Sequence, residues 1–280
     1  MCKDFFDLSV FNELYGLSCV ENLLLFILKS YQYSYNYLFY NSFLSFNVVA
    51  NAFIKENAKY TDFIKIPRIQ DTAIDIGILE MSLSNSLKFD DAASVKTLIT
   101  VKPEYIKNKY NVELWRNDHY ILIHRDCEQC IYINDNPRDS GVITLETLHN
   151  IFDGKVIKFK LNEDLTEDLK EILRQRFFDS LSKINQTIFL PSIDLSDLKP
   201  LRDALGIYKI LTRRLYAFSS LCMNADFITE QIKYLDKQYM LIEYMRIKNE
   251  INYAAIALLA NKVFENEKMI IKRIMSGIEE

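Results

Sequence analysis

Cys19 stands in the run Gly16-Leu17-Ser18-Cys19-Val20-Glu21-Asn22, directly before the apolar stretch Leu23 to Leu28. Ser18 and Glu21 have the S-x-x-E spacing of a capping box, in which the serine side chain accepts from the backbone N–H three residues on and the glutamate reaches back. The spacing predicts a helix with Cys19 in its first turn. Unpaired N–H groups and the positive end of the helix dipole gather there, and both favour a thiolate over a thiol, whose free pKa is about 8.5. The apolar residues that follow leave no polar face, which predicts a buried helix. A cysteine at the open end of such a helix has the chemistry of a nucleophile. Its competing role is that of a small core hydrophobe, the commonest use of a single intracellular cysteine, so a partner base decides between the two.

Only His119, His124 and His149 are available as that base. His119 opens the run His119-Tyr120-Ile121-Leu122-Ile123-His124, and a second apolar run, Cys130-Ile131-Tyr132-Ile133-Asn134, follows four loop residues after Arg125, the pattern of a β-hairpin. Side chains alternate along a strand, so His119 shares a face with Ile121 and Ile123 while Tyr120, Leu122 and His124 share the other. The two histidines therefore belong to different sites. Pairing Arg125 with Cys130 places His119 opposite Asn136, and a loop one residue different places it opposite Asp135. Either side chain can accept from the imidazole Nδ1–H, leaving Nε2 to take the thiol proton. The rival chemistry here is metal: His124, Cys127 and Cys130 form H-x2-C-x2-C, half of a common zinc pattern, but no second pair completes it. No metal or bound cofactor is expected. His149 falls on a short helix as a surface or packing residue.

Elements must position these groups. Residues 4 to 15 read as a short helix ended by Gly16, and the Cys19 helix runs to about Tyr31. The Tyr- and Asn-rich segment 31 to 40 and the apolar residues between 43 and 49 fit helix or strand equally, and Ile64 to Pro67 reads as a strand stopped by proline. Strand patterns recur at 98–101, 105–106, 120–124, 130–134 and 155–159. Asn136 to Gly141 reads as a turn, and Thr144 to Phe152 as a short helix closed by Gly154. Beyond residue 161 the apolar spacing becomes helical over 164–184, 195–221 and 225–275. The fold class is α+β, with residues 1–162 forming a cysteine-nucleophile domain and 163–280 a helical region. Basic runs at Lys209 to Arg214 and Lys268 to Arg273 read as solvated helix faces.

Composition narrows the function. The 280 residues carry 26% charged residues and a formal charge of -4, without the basic excess of a nucleic-acid binder. The start, Met1-Cys2-Lys3-Asp4, lacks the pattern of a secretory signal, and the apolar run 23–28 is too short to span a bilayer. Five cysteines, an odd count, suit reduced thiols. The expectation is a cytoplasmic protein with neither nucleic acid nor membrane as partner.

A Cys at the head of an apolar helix, H-Y-x-L-I a hundred residues on, and a hairpin leading into Tyr132-Ile133-Asn134-Asp135-Asn136-Pro137 resemble the papain-like fold of bacteriocin-processing cysteine peptidases. The residues are more similar still to the homologues of thiotemplated natural-product pathways: the butirosin biosynthesis protein H N-terminal family and the amide-forming enzyme of the closthioamide pathway. The likeness covers residues 10 to 160. It implies Cys19 as nucleophile, His119 as general base and acid, and the residue before Pro137 as orienter, where the usual Asp is replaced by Asn136 with Asp135 preceding it. Asn12 and Glu13 occupy the neighbourhood of the peptidases' oxyanion Gln. The implied function is acyl transfer: Cys19 attacks a thioester on the phosphopantetheine of an acyl or peptidyl carrier protein, and a small amine takes the acyl group as an amide. A peptidase or thioesterase using the same triad is the alternative. A non-catalytic interaction module is a third.

Overall fold

Thr100 sits where the register of an inner strand slips. Its hydroxyl accepts from the Lys155 N–H at 3.0 Å and donates to the Lys155 C=O at 3.3 Å, standing in for ladder hydrogen bonds where the register slips between Ile99 and Val101. The computed structural model describes residues 15–59, 63, 65–88, 95–105, 118–126, 129–134, 140–184 and 197–277. In chain order these form α1 (Cys19–Ser30), a 3-10 turn (Tyr35–Phe39), α2 (Phe46–Ile54), α3 (Ile69–Asp75), β1 (Leu79–Ser84), β2 (Val95–Val101), β3 (Tyr120–Asp126), β4 (Gln129–Ile133), β5 (Gly141–Thr144), α4 (Leu145–Ile151) and β6 (Phe152–Leu161). Four helices follow: α5 (Glu167–Ser182), α6 (Lys199–Ser219), α7 (Phe227–Lys248) and α8 (Tyr253–Ser276).

The six strands form one antiparallel sheet in the order β1-β6-β2-β3-β4-β5. The α+β class, expected from helical patterns followed by antiparallel strand patterns, is thus observed. β2 and β6 lie inside the sheet, and β2 is buried on both faces, as its apolar, β-branched sequence requires. One face is covered by α4: Leu148 and Ile151 pack with Ile99, Val101, Ile121, Ile123, Cys130, Tyr132 and Val156.

By compactness the chain divides into one unit of residues 1–35 and 68–165 and another of 36–67 and 166–280. Residues 36–67 thus group with the helices, whereas the sequence pattern assigns them to the first domain. The helical unit is built on α6, buried on nearly every side. The aromatic residues of 36–46 belong to its core: Tyr37 and Phe177 pack on Phe218, and Phe46 packs on Tyr208 and Phe264. The run Lys209 to Arg214 is not a solvated face. Lys209 and Arg213 pair with Asp236, and Arg214 is fully buried with its guanidinium 5.6 Å from the Phe39 ring centroid.

Glu267 is another buried ionisable group of this unit. Its Oε2 accepts from the Phe46 N–H at the start of α2 (2.7 Å) and from the Tyr208 hydroxyl (2.6 Å). Burial raises its pKa above the usual carboxylate value against the lowering effect of those two donors. A carboxyl whose pKa is raised on folding binds its proton more tightly in the native state. The associated stability is complete below the unfolded pKa and is lost as the pH rises through the folded one. Glu267→Gln keeps an acceptor oxygen and cannot ionise, so in urea unfolding its stability relative to wild type is expected to rise as the pH climbs above the ordinary carboxylate value of 4.5 and to level off once the wild-type carboxyl ionises in the folded state. A constant difference from pH 4.5 to pH 8 would contradict the buried-carboxyl assignment.

Several local expectations need correction. Lys65 and Ile66 form a bend leading into α3 instead of a strand, and Pro103 to Tyr105 are helical where Tyr105 was expected in a strand. Gly154, expected to close α4, lies inside β6 with φ +83, and α4 passes directly into that strand at Phe152. The helical pattern 225–275 is two helices, separated where Asn249 adopts φ 54 and Asn252 caps α8 by accepting from the Ala255 N–H. The helix expected over 4–15 and the turn over 136–141 fall largely outside the described residues. Among the described residues no helix is long and apolar enough to cross a membrane.

Candidate active site

The capping box forms with one change. The Ser18 side chain accepts from the Glu21 N–H at 3.3 Å, and α1 begins at Cys19. Glu21 reaches one residue further back than the motif requires, its Oε2 accepting from the Leu17 N–H at 2.5 Å, while Oε1 accepts from the Ile69 N–H at 3.0 Å. The carboxylate is fully buried. It joins the start of α1 to the start of α3, where both helix dipoles favour its charge. Cys19 itself is half-buried.

α1 lies on the face of the sheet opposite α4. Lys96, Leu98 and Thr100 alternate onto that face, with Leu98 opposite Leu122 and Thr100 opposite Tyr120. At the far end of α1, the Lys96 ammonium sits 4.4 Å from the Tyr31 ring centroid. At the near end, the Tyr120 hydroxyl pKa is raised, first by burial, then by the charge of Asp118, with Lys155 opposing and Cys19 adding. The thiol therefore sits at the rim of the sheet where β3 begins. Asp118 and Lys155 share this rim as an ion pair of 2.5 Å, and that hydrogen bond raises the Lys155 pKa.

His119 reaches the same rim from the other face. The Val101 N–H donates to the His119 C=O at 3.1 Å, so pairing continues one residue beyond β3 and alternation puts His119 on the Val101–Ile121 face. Its Nε2 is 3.2 Å from the Asn134 Oδ1. Because Oδ1 only accepts, the ring must carry Nε2–H, leaving Nδ1 as the basic nitrogen, the reverse of the tautomer expected from the sequence. Asn134 is buried, and its backbone N–H donates to the Ser140 hydroxyl at 3.1 Å. The hairpin register is as expected, with Arg125 opposite Cys130. In that register Asn134 is diagonal to His119, on the same face. Asp135 and Asn136, the residues expected to orient His119, lie outside the described residues, as do Asn12, Glu13 and Cys127.

A sequence search confined to directly opposed residues misses Asn134, although the diagonal of the same register contains it. The signal that finds Tyr120, Asp118 and Lys155 is strand alternation, once α1 is assigned to a face. The zinc pattern is not assembled by His124 and Cys130, since His124 is exposed on one face and Cys130 is buried on the other. His149 is exposed and bonds its own helix through Nδ1 to the Leu145 carbonyl at 2.7 Å.

If His119 serves as the base, Asn134 acts through it as a positioning residue. Asn134→Ala is expected to reduce turnover roughly tenfold with little change in KM, as the ring loses its preferred tautomer. Asn134→Asp should instead move the histidine limb of the pH–rate profile to higher pH, because a carboxylate stabilises the imidazolium. Unchanged profiles in both variants would remove Asn134 from the site. Compared with known protein families and with curated proteins, the chain matches none.

Proposed function

We propose that this chain is a papain-like cysteine acyltransferase of the cytoplasm. Cys19 takes an acyl group from the phosphopantetheine thioester of an acyl or peptidyl carrier protein and delivers it to a small amine as an amide. The observation that carries this reading is the position of Cys19, in the first turn of a side-chain-capped helix and close enough to Tyr120 for its charge to act there, at the end of the strand whose preceding residue, His119, holds its imidazole against an amide oxygen on the other face. In this reading His119, at the strand's end, extends past the rim to take the thiol proton on Nδ1. The sulfur adds to the thioester carbonyl, the carrier thiolate leaves and is protonated by the imidazolium, and an amine then displaces Cys19 while His119 accepts its proton. Exchange between two thioesters is nearly balanced, and aminolysis drives the sequence forward.

Hydrolysis through the same acyl-enzyme is the second reading, favoured by the partial exposure of both Cys19 and His119, which admits water. Incubating an acyl-carrier thioester with and without a diamine, followed by mass spectrometry, separates the two. Amide formed only with the diamine is expected. Free acid released at one rate in both mixtures would select the hydrolase, and no turnover in either would refute both.

A further inference from the structure

Four polar side chains share the rim of the sheet that faces the start of α1: Thr100, Asp118, Tyr120 and Lys155. Three are committed. The Thr100 hydroxyl is occupied by the backbone of Lys155, and the Lys155 ammonium and Asp118 carboxylate bind each other at 2.5 Å. Among the described residues, no group accepts a hydrogen bond from the Tyr120 hydroxyl. Tyr120 is half-buried and projects on the α1 face, opposite Thr100 in the β2–β3 register.

We propose that Tyr120 is the side-chain donor of an oxyanion site at Cys19, its phenol hydrogen-bonding the oxygen that gains charge when the sulfur adds to an acyl carbonyl. This rests on the reading of Cys19 as nucleophile. In the step concerned, the S–C bond forms and the carbonyl π pair moves to oxygen. Tyr120 bonds that oxygen without giving up its proton, and the pair returns as the bond to the leaving group breaks. A phenol with its ordinary pKa of about 10 is protonated at neutral pH, as a donor must be, and burial raises it further. A fixed donor aimed at developing charge is worth about 10²–10³ in rate.

The test compares two reactions of the same thiol. Acylation by p-nitrophenyl acetate passes through a tetrahedral oxyanion and releases nitrophenolate, whereas alkylation by iodoacetamide is a direct displacement with no oxyanion. Tyr120→Phe keeps the ring and its packing. It is expected to slow acylation about 100-fold and to leave alkylation within threefold. Acylation slowed less than tenfold would overturn the proposal, and so would a parallel loss in both reactions, which would assign Tyr120 to thiolate formation. If Cys19→Ala acylates as fast as wild type, the nucleophile reading fails instead, and that result is distinct from either of these.

Discussion

Cys19→Ala is expected to abolish acyl transfer from a carrier thioester, a loss of at least 10⁴-fold set by the uncatalysed background. The size follows from covalent chemistry: without sulfur there is no acyl-enzyme, and positioning alone cannot replace the bond. Mass spectrometry of the trapped intermediate checks the same point, since wild type should gain the acyl mass on Cys19 and the variant should not. Iodoacetamide labelling across pH gives an independent measurement. The first turn of a capped helix should place the labelling midpoint of Cys19 below the free-thiol value of about 8.5. A midpoint at the free value, with turnover retained by the alanine variant, would leave the non-catalytic interaction module as the surviving role.

Glu21→Ala should be the most destabilising single substitution near the site, by about 3 kcal/mol or more. The carboxylate is fully buried and accepts from two backbone N–H groups, Leu17 before α1 and Ile69 at the head of α3. Alanine orphans both donors, leaves a void between the two helix starts and removes a negative charge from both dipoles. Glu21→Gln retains one acceptor oxygen and should lose less. Chemical denaturation of the two variants checks the order. If both lie within 0.5 kcal/mol of wild type, a threshold typical of exposed positions, the carboxylate does not hold these helices. The Ser18 cap alone is worth about 1 kcal/mol, so Glu21 is the stronger anchor of the turn that carries Cys19.

Much of the local structure is written in short stretches. Ser18, Thr144, Thr166 and Asn252 each cap the helix that follows, by the same side-chain oxygen to backbone N–H bond. Period-two alternation in 120–124 and 130–134 is enough to pair Arg125 with Cys130 and to separate His119 from His124. These features depend on neighbours three or fewer residues apart, or on one tight hairpin, so local chemistry determines them. The segment 36–59 is different. Its apolar residues satisfy either period because the 3-10 turn and α2 bury most of their surface, and burial on several sides erases amphipathic contrast.

The sequence by itself determined the α+β class, the helix that begins at Cys19 and the hairpin that presents His119. Tertiary structure alone decided what stands beside each of them. It chose Asn134 for His119, because a diagonal neighbour on a twisted antiparallel pair comes within reach as readily as a direct one. It placed Tyr120 beside Cys19, because only the packing of α1 says which face of β3 the cysteine meets. Glu21 acquired Ile69, and Glu267 acquired Phe46 and Tyr208, across separations that no local pattern encodes. Buried charges need donors wherever the fold can bring them, and those donors become visible only when the chain has closed around them.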